Sequence, residues 1–347
     1  MKMWQRLCHD LENNFKKGVA ILPFAIEWEG ICPQNTTRRI FVCSVIRGDF
    51  LKYYMGIDGG GTYTKAVVAD EKGVILCNAE GGSINFYSVG MAESRQNLKN
   101  IIEQITAKIG DVHFNSVFIG CSALDDRATD AIISDLCDGI INADIINMNS
   151  DVYVAYVASG CDSIAICGTG SMAMGKKCDG QLVVKGGWGH ILGDEGSGYS
   201  IALNAIKHSC YCADHGYDDT FANALNKYFN VTSTRQIIDV IYSESIKKDF
   251  VAGYGAEVGR LADNGDLIAL DIIEGEAFKL ADTFMSLFDE TQNAGTLALY
   301  GGVFKNCQAF KDCFCENILF RYPELKIEML TVSPEQGALN IARGLYE

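Results

Sequence analysis

The alternation of apolar and polar positions along the chain predicts a fold that is built twice. Tyr53 to Ile57 reads as a buried strand, Gly59-Gly60-Gly61 as a tight turn and Thr64 to Ala69 as a second strand; Lys72-Gly73 then turns into a third, Val74 to Cys77. The same order returns downstream. Ser163 to Cys167 is a strand, Gly168-Thr169-Gly170 a turn, Ser171 to Met174 a strand, and Asp179-Gly180 a turn into Gln181 to Val184. Ile57-Asp58-Gly59-Gly60-Gly61-Thr62 superposes on Ile166-Cys167-Gly168-Thr169-Gly170-Ser171, an offset of 109 positions. After each three-stranded meander the spacing turns helical. The first half continues with a helix around 92–108, a strand over 117–121, a helix near 128–137 and a strand over 144–147. The second has helices near 200–208 and 274–288, a strand over 296–300, a helix and a strand over 326–330, and a last helix over 335–345 closes the chain. A meander followed by crossovers implies a mixed sheet with helices on both faces.

The first 50 residues break this pattern. They hold two of the three tryptophans, Trp4 and Trp28, and carry 7 basic against 5 acidic residues, where the remainder carries 22 against 39. Residues 1–50 are therefore expected to lie outside the fold. They are either an accessory segment or an extension that is not native, with translation starting at Leu51.

Composition narrows the class. The 347 residues suggest two domains, and 48% hydrophobic with 21% charged residues suit a packed globular chain. No apolar run approaches the ~20 residues that cross a bilayer, since 19–26 is broken by Pro23 and followed by Glu27. A net charge of -15 argues against a nucleic-acid surface, so an anionic ligand must be held by local donors. The 14 cysteines form no C-x-x-C pair and show no second half of a zinc site. They read as reduced, mostly buried thiols of a cytoplasmic protein.

Glycine turns that carry a hydroxyl residue can aim several backbone N–H groups at one point, which is how an acidic protein holds phosphates. Plain hairpins are the alternative for either turn alone. No G-x-x-x-x-G-K-[ST] occurs. Gly168-x-Gly170-x-x-Ala173 meets the loose dinucleotide pattern, but a hairpin follows it where that fingerprint requires a helix. The glycine-dense run Gly186-Gly187-Trp188-Gly189-His190-Ile191-Leu192-Gly193-Asp194-Glu195-Gly196-Ser197-Gly198-Tyr199 offers an aromatic face and adjacent carboxylates. These suit a polyhydroxylated ring; the alternative is a solvated loop that caps a helix through Asp194 or Ser197.

Three of these runs, Gly56 to Thr62, Cys167 to Ser171 and Gly301-Gly302-Val303-Phe304-Lys305, resemble the phosphate-1, phosphate-2 and adenosine motifs of the sugar kinase, Hsp70 and actin superfamily. Within it the chain resembles the BadF/BadG/BcrA/BcrD ATPase group, and the N-acetylglucosamine kinases above all; the run 186–199 carries that likeness most closely. The resemblance covers about residue 53 to the C-terminus. It implies two actin-like (ribonuclease H-like) lobes, each a mixed five-stranded sheet flanked by helices, with a cleft between them: 51–148 with 333–347, and 149–332.

The resemblance also implies an ATP-dependent kinase that phosphorylates an amino sugar, first of all N-acetylglucosamine at its 6-hydroxyl, with ATP and Mg2+. Glucosamine and N-acetylmuramic acid are the alternative acceptors. An ATPase activator of a 2-hydroxyacyl-CoA dehydratase is the alternative class, and a homodimer stays open. By residue, Asp125 is the expected base, although Ala123-Leu124 before it departs from the family's glycines. Asn85, Tyr87, Gly187, Trp188, Asp194 and Ser197 are the expected sugar contacts. Gly59, Gly60, Gly61, Thr62, Lys65, Gly168, Thr169, Gly170, Ser171, Gly301 and Gly302 are the expected ATP contacts, and Asp58 holds Mg2+ through water. Asp126 reads mainly as a helix cap, Asp151 as a helper or a cap, and Asn85 also as a plain turn residue.

Overall fold

The computed structural model describes residues 52–124, 126–243, 246–292 and 295–346, together with the strand assignments of 21–26 and 40–45. The chain divides into two compact units, Met1–Lys52 and Tyr53–Glu347. In the first unit β1 (Ile21–Ile26) pairs antiparallel with β2 (Ile40–Val45).

The second unit contains two five-stranded sheets of the same design. One has the order β5-β4-β3-β6-β7, from β3 (Tyr53–Gly59), β4 (Tyr63–Asp70), β5 (Ile75–Gly82), β6 (Phe114–Cys121) and β7 (Ile146–Asn149). The other has the order β10-β9-β8-β11-β12, from β8 (Ser163–Cys167), β9 (Ser171–Lys176), β10 (Leu182–Gly186), β11 (Thr296–Tyr300) and β12 (Lys326–Met329). In each, the meander is antiparallel and the two crossover strands add in parallel. The alternation expected for the meanders is visible in β5, where Cys77 and Ala79 are buried while Leu76, Asn78 and Glu80 are exposed.

Helices cover both sheets. In the first half these are α1 (Met91–Ile109), α2 (Asp130–Cys137) and α3 (Asp151–Ser159). α1 buries Leu98, Ile101 and Ile105, one stripe at helical spacing, against the core formed by Met55, Ile57, Val117 and Ile119. The second half has α4 (Gly198–His215), α5 (Ala222–Phe229), α6 (Ile237–Ile241), α7 (Lys248–Asp263), α8 (Leu267–Thr291), α9 (Gly302–Asn306) and α10 (Gln308–Arg321). Its core centres on Phe284, Phe304, Phe310 and Phe314. The last helix, α11 (Pro334–Ala342), lies on the first sheet and packs on β3. A Cβ at Gly56 would sit 2.2 Å from the backbone nitrogen of Leu339, so only glycine permits that approach.

Three helices between 222 and 263 have no counterpart in the sequence pattern. The buried face of α7 includes Gly255 and Gly259, which weaken both its apolar signal and its intrinsic helix propensity. Packing against α4 supplies what propensity lacks. Among the described cysteines only Cys178 is exposed, and none is in a disulfide.

Candidate active site

A cavity of about 230 Å³ opens between the two sheets, lined by Asp58, Gly60, Gly61, Thr62 and Asp151 on one side and Ile166 and Tyr300 on the other. The β3–β4 hairpin supplies its floor, closed by the Gly60 N–H donating to the Tyr63 carbonyl at 3.1 Å. The matching β8–β9 hairpin is closed by the Gly168 N–H donating to the Gly170 carbonyl at 2.8 Å. Neither Gly61 nor Gly168 has a positive φ, and a Cβ on either would meet nothing within 4 Å. The fold itself does not demand glycine at these two positions.

Carboxylates crowd the cavity. Burial first, then the charges of Asp151 and Glu335, push the Asp58 carboxyl up to about 7, against a smaller opposing pull from Lys65, its cross-strand partner on β4. Burial also raises Asp151, to about 6, while the backbone N–H groups of Val152 and of Asp151 itself hold it back. Asp151 is not the cap of α3: the Ser150 hydroxyl accepts from the Tyr153 N–H at 3.1 Å and does that work. Asp151 lines the cavity, and its Oδ1 accepts from the Val152 N–H at 2.9 Å. Glu335, on the first turn of α11, has a buried Oε2 with no hydrogen-bond partner among the described residues.

The hydroxyls are not equally available. Thr62 is exposed and donates to Asp249 Oδ2 on α7 at 2.5 Å. Ser171 is buried and donates to the Glu195 carbonyl at 2.6 Å, which ties the 186–198 loop to the β8–β9 hairpin. Thr169 is half-buried beside it. Lys65 lies over the Tyr63 ring, 5.8 Å from its centroid. Gly301 begins α9 at φ 116°, where a Cβ would fall 2.1 Å from the Cys167 carbonyl oxygen, and Gly302 beside it is exposed.

In the loop after β10, Gly187 and Trp188 are exposed, Trp188 by 73%. Asp194 is buried in a left-handed conformation with φ 61°. Its Oδ1 accepts from the Gly189 N–H at 3.2 Å and its Oδ2 faces Lys248 Nζ at 3.6 Å. Ser197, fully buried, caps α4 by accepting from the Ser200 N–H. Asn85 is buried in a local turn: its Oδ1 accepts from the N–H groups of Tyr87 and Ser88, and its Nδ2 donates to the Ser122 hydroxyl at 3.0 Å. Tyr87 is 80% exposed. Asp125 lies outside the described residues. Asp126 is exposed and is not a helix cap, because Thr129 caps α2 by accepting from the Ile132 N–H. Lys248, Asp249 and Glu335 are charged groups at the site that the sequence reading missed; no motif or spacing marks them, and only the packing of α7 and α11 brings them in.

Two sheets of one strand order, each headed by a glycine hairpin and flanked by helices, define an α/β protein of the two-lobed, actin-like class. The chain belongs to the BadF/BadG/BcrA/BcrD ATPase family, whose sequence model matches residues 55–342. A Clostridium acetobutylicum protein named N-acetylmuramic acid/N-acetylglucosamine kinase is 28% identical over 303 residues, 84% of this chain and 99% of its own length. A Dictyostelium discoideum N-acetyl-D-glucosamine kinase is 26% identical over 310 residues, 83% of this chain and 97% of its own. Among solved structures, one from Chromobacterium violaceum, provisionally described as an N-acetylglucosamine kinase, shares the fold with a TM-score of 0.68 at 20% identity, covering 84% of this chain and 99% of its own.

Proposed function

We propose that the protein is an ATP-dependent kinase that phosphorylates N-acetylglucosamine at its 6-hydroxyl in the cytoplasm. The observation that carries this reading is the pair of glycine hairpins at the heads of the two sheets. Gly61 and Gly168 serve no need of the fold, and bare backbone there leaves room for phosphate oxygens to approach N–H groups. Membership of an ATPase family and the names of the two long relatives point the same way.

In this reading the backbone of Gly59 to Thr62 and of Gly168 to Ser171 cradles the phosphates, with Thr62, Thr169 and Lys65 beside them. Gly301 and Gly302 let the adenosine lie against backbone. Asp58 holds Mg2+ through water, backed by Asp151 and Glu335. Three carboxylates, one with a buried oxygen that lacks a donor among the described residues, make a hard-oxygen set that fits this ion. When bound, Mg2+ neutralises charge on the phosphates. Asp125 accepts the proton of the sugar hydroxyl. Trp188 and Tyr87 offer aromatic faces to the ring, Gly187 leaves room beside them, and Asn85, Asp194 and Ser197 shape the loops that present them. Residues 51–148 with 333–347 and 149–332 are the two lobes, and 1–50 belong to neither.

The name of the Clostridium acetobutylicum relative favours N-acetylmuramic acid as a second acceptor. A sugar panel in a coupled ADP-release assay, with the product's phosphate position read by NMR, tests both. The highest kcat/KM is expected for N-acetylglucosamine with the phosphate on O6. Turnover of no amino sugar overturns the reading, and preference for N-acetylmuramic acid selects the second acceptor.

A further inference from the structure

His208 and Cys212 stand one turn apart on α4, so their side chains leave the same face of the helix. Cys212 Sγ and His208 Nε2 are 3.3 Å apart. Asp219, in the segment between α4 and α5, brings its carboxylate to the same point, and the three ligand-type atoms all lie within 4.8 Å of one another. That segment is firmly held. Asp219 Oδ1 accepts from the Phe221 N–H at 2.9 Å, and the Phe221 ring, fully buried, meets the His208 imidazole edge-on with centroids 5.6 Å apart.

The other carboxylate oxygen, Asp219 Oδ2, is buried and has no hydrogen-bond partner among the described residues. A buried carboxylate oxygen without a donor is costly, and a thiol beside it offers only a weak one. A cation held between the three side chains would remove that cost. Nitrogen, sulfur and oxygen in one donor set select a borderline-soft ion and disfavour Mg2+ or Ca2+, which take oxygen. Bond lengths of about 2.0–2.3 Å place the ligands of a tetrahedral zinc about 3.5 Å apart. The Cys212–His208 pair already has that spacing, and the Asp219 carboxylate lies within 4.8 Å of both.

We propose that His208 Nε2, Cys212 Sγ and Asp219 Oδ2 form a Zn2+ site, with water in the fourth position, that clamps the corner between α4 and α5. Binding displaces the Cys212 proton to solvent, and thiolate and carboxylate together neutralise the ion. The site is structural. His208 is ten positions from Gly198, about 15 Å along the helix from the end of α4 that meets the glycine-rich loop. A search for C-x-x-C pairs does not find it, because the third ligand is a carboxylate brought in by a turn.

The test uses the full chain, kept reduced with a phosphine, stripped with EDTA and reloaded with Zn2+ or, as a spectroscopic probe, Co2+. Wild type is expected to retain one equivalent of zinc through gel filtration, and to show a thiolate-to-cobalt charge-transfer band and tetrahedral visible bands. Cys212→Ser should lose the charge-transfer band, and His208→Gln and Asp219→Asn should weaken zinc at least tenfold. Cys178→Ser, at the exposed cysteine outside the site, should retain the full equivalent. Because Cys212 is buried, its variant also tests folding, so the His208 and Asp219 variants, at half-buried positions, carry the decision. No zinc retained by wild type, or undiminished affinity in both His208→Gln and Asp219→Asn, overturns the proposal.

Discussion

The Thr62 hydroxyl donates to Asp249 Oδ2 at 2.5 Å, joining the β3–β4 hairpin to α7 across 187 positions of sequence. A phosphate seated on the hairpin would compete with that carboxylate for the same hydroxyl and would meet its negative charge. Asp249→Asn is therefore expected to lower KM for ATP about threefold to tenfold, in line with the worth of a partly exposed charged hydrogen bond. Initial rates at saturating sugar check this, and an unchanged or raised KM would show that the bond does not compete.

Asp125→Asn removes the acceptor for the hydroxyl proton and keeps the side chain's size. Turnover should fall by about 10²–10⁴, while sugar affinity measured by calorimetry stays within about twofold. Retained turnover would remove Asp125 from the reaction.

The raised carboxyl of Asp58 makes the apo protein pH-dependent. Its folded value, about 7, lies above the ordinary 3.8, so between these limits the native state binds the extra proton. Stability from this group therefore falls as pH rises from about 4 to about 7, and the full cost is present above that. Asp58→Asn should raise stability in EDTA at pH 8 by up to about 4 kcal/mol, with little difference at pH 4. Denaturant melts at both values decide it. The same variant should lose turnover, because a neutral amide no longer anchors hydrated Mg2+.

Glycines of two kinds should separate. At Gly61 and Gly168 a Cβ enters open space, so Gly61→Ala and Gly168→Ala should leave stability within about 0.5 kcal/mol and raise KM for ATP at least tenfold. At Gly56 a Cβ would lie 2.2 Å from the Leu339 nitrogen, so Gly56→Ala should unseat α11 and cost several kcal/mol. Equal effects on stability at all three would remove the ligand argument for the hairpins.

Trp188 is 73% exposed, so its truncation removes little buried packing. Trp188→Ala should raise the sugar KM about threefold to tenfold, the worth of one stacked face, with KM for ATP and Tm unchanged. A shift in Tm instead would make the tryptophan a packing residue.

The two meanders and their glycine turns were legible because hairpins are local: period-two alternation and turn residues lie within a few positions of one another. The strands 163–167 and 296–300 coincide with β8 and β11 residue for residue. α7 was not legible, since glycines interrupt its apolar face and its stability comes from α4. The candidate site divides along the same line. The hairpin glycines announced themselves by type and repetition, whereas the roles of the polar residues around them depend on neighbours far along the chain.

Residue order alone was enough to establish the duplicated sheet design and its two glycine turns, of which the β3–β4 turn lines the cavity. It left open which polar groups are free. Ser171 and Thr62 look equivalent as turn hydroxyls, yet one is buried against a carbonyl 24 positions away and the other is exposed against a carboxylate on α7. Asp58 and Asp194 look equivalent as carboxylates, yet Asp58 faces the cavity with a raised pKa while Asp194 is folded into its own loop beside Lys248. The reason is that hydrogen-bond partners and desolvation are set by what packs around a group, and most of what packs around these comes from α3, α7 and α11, remote in sequence.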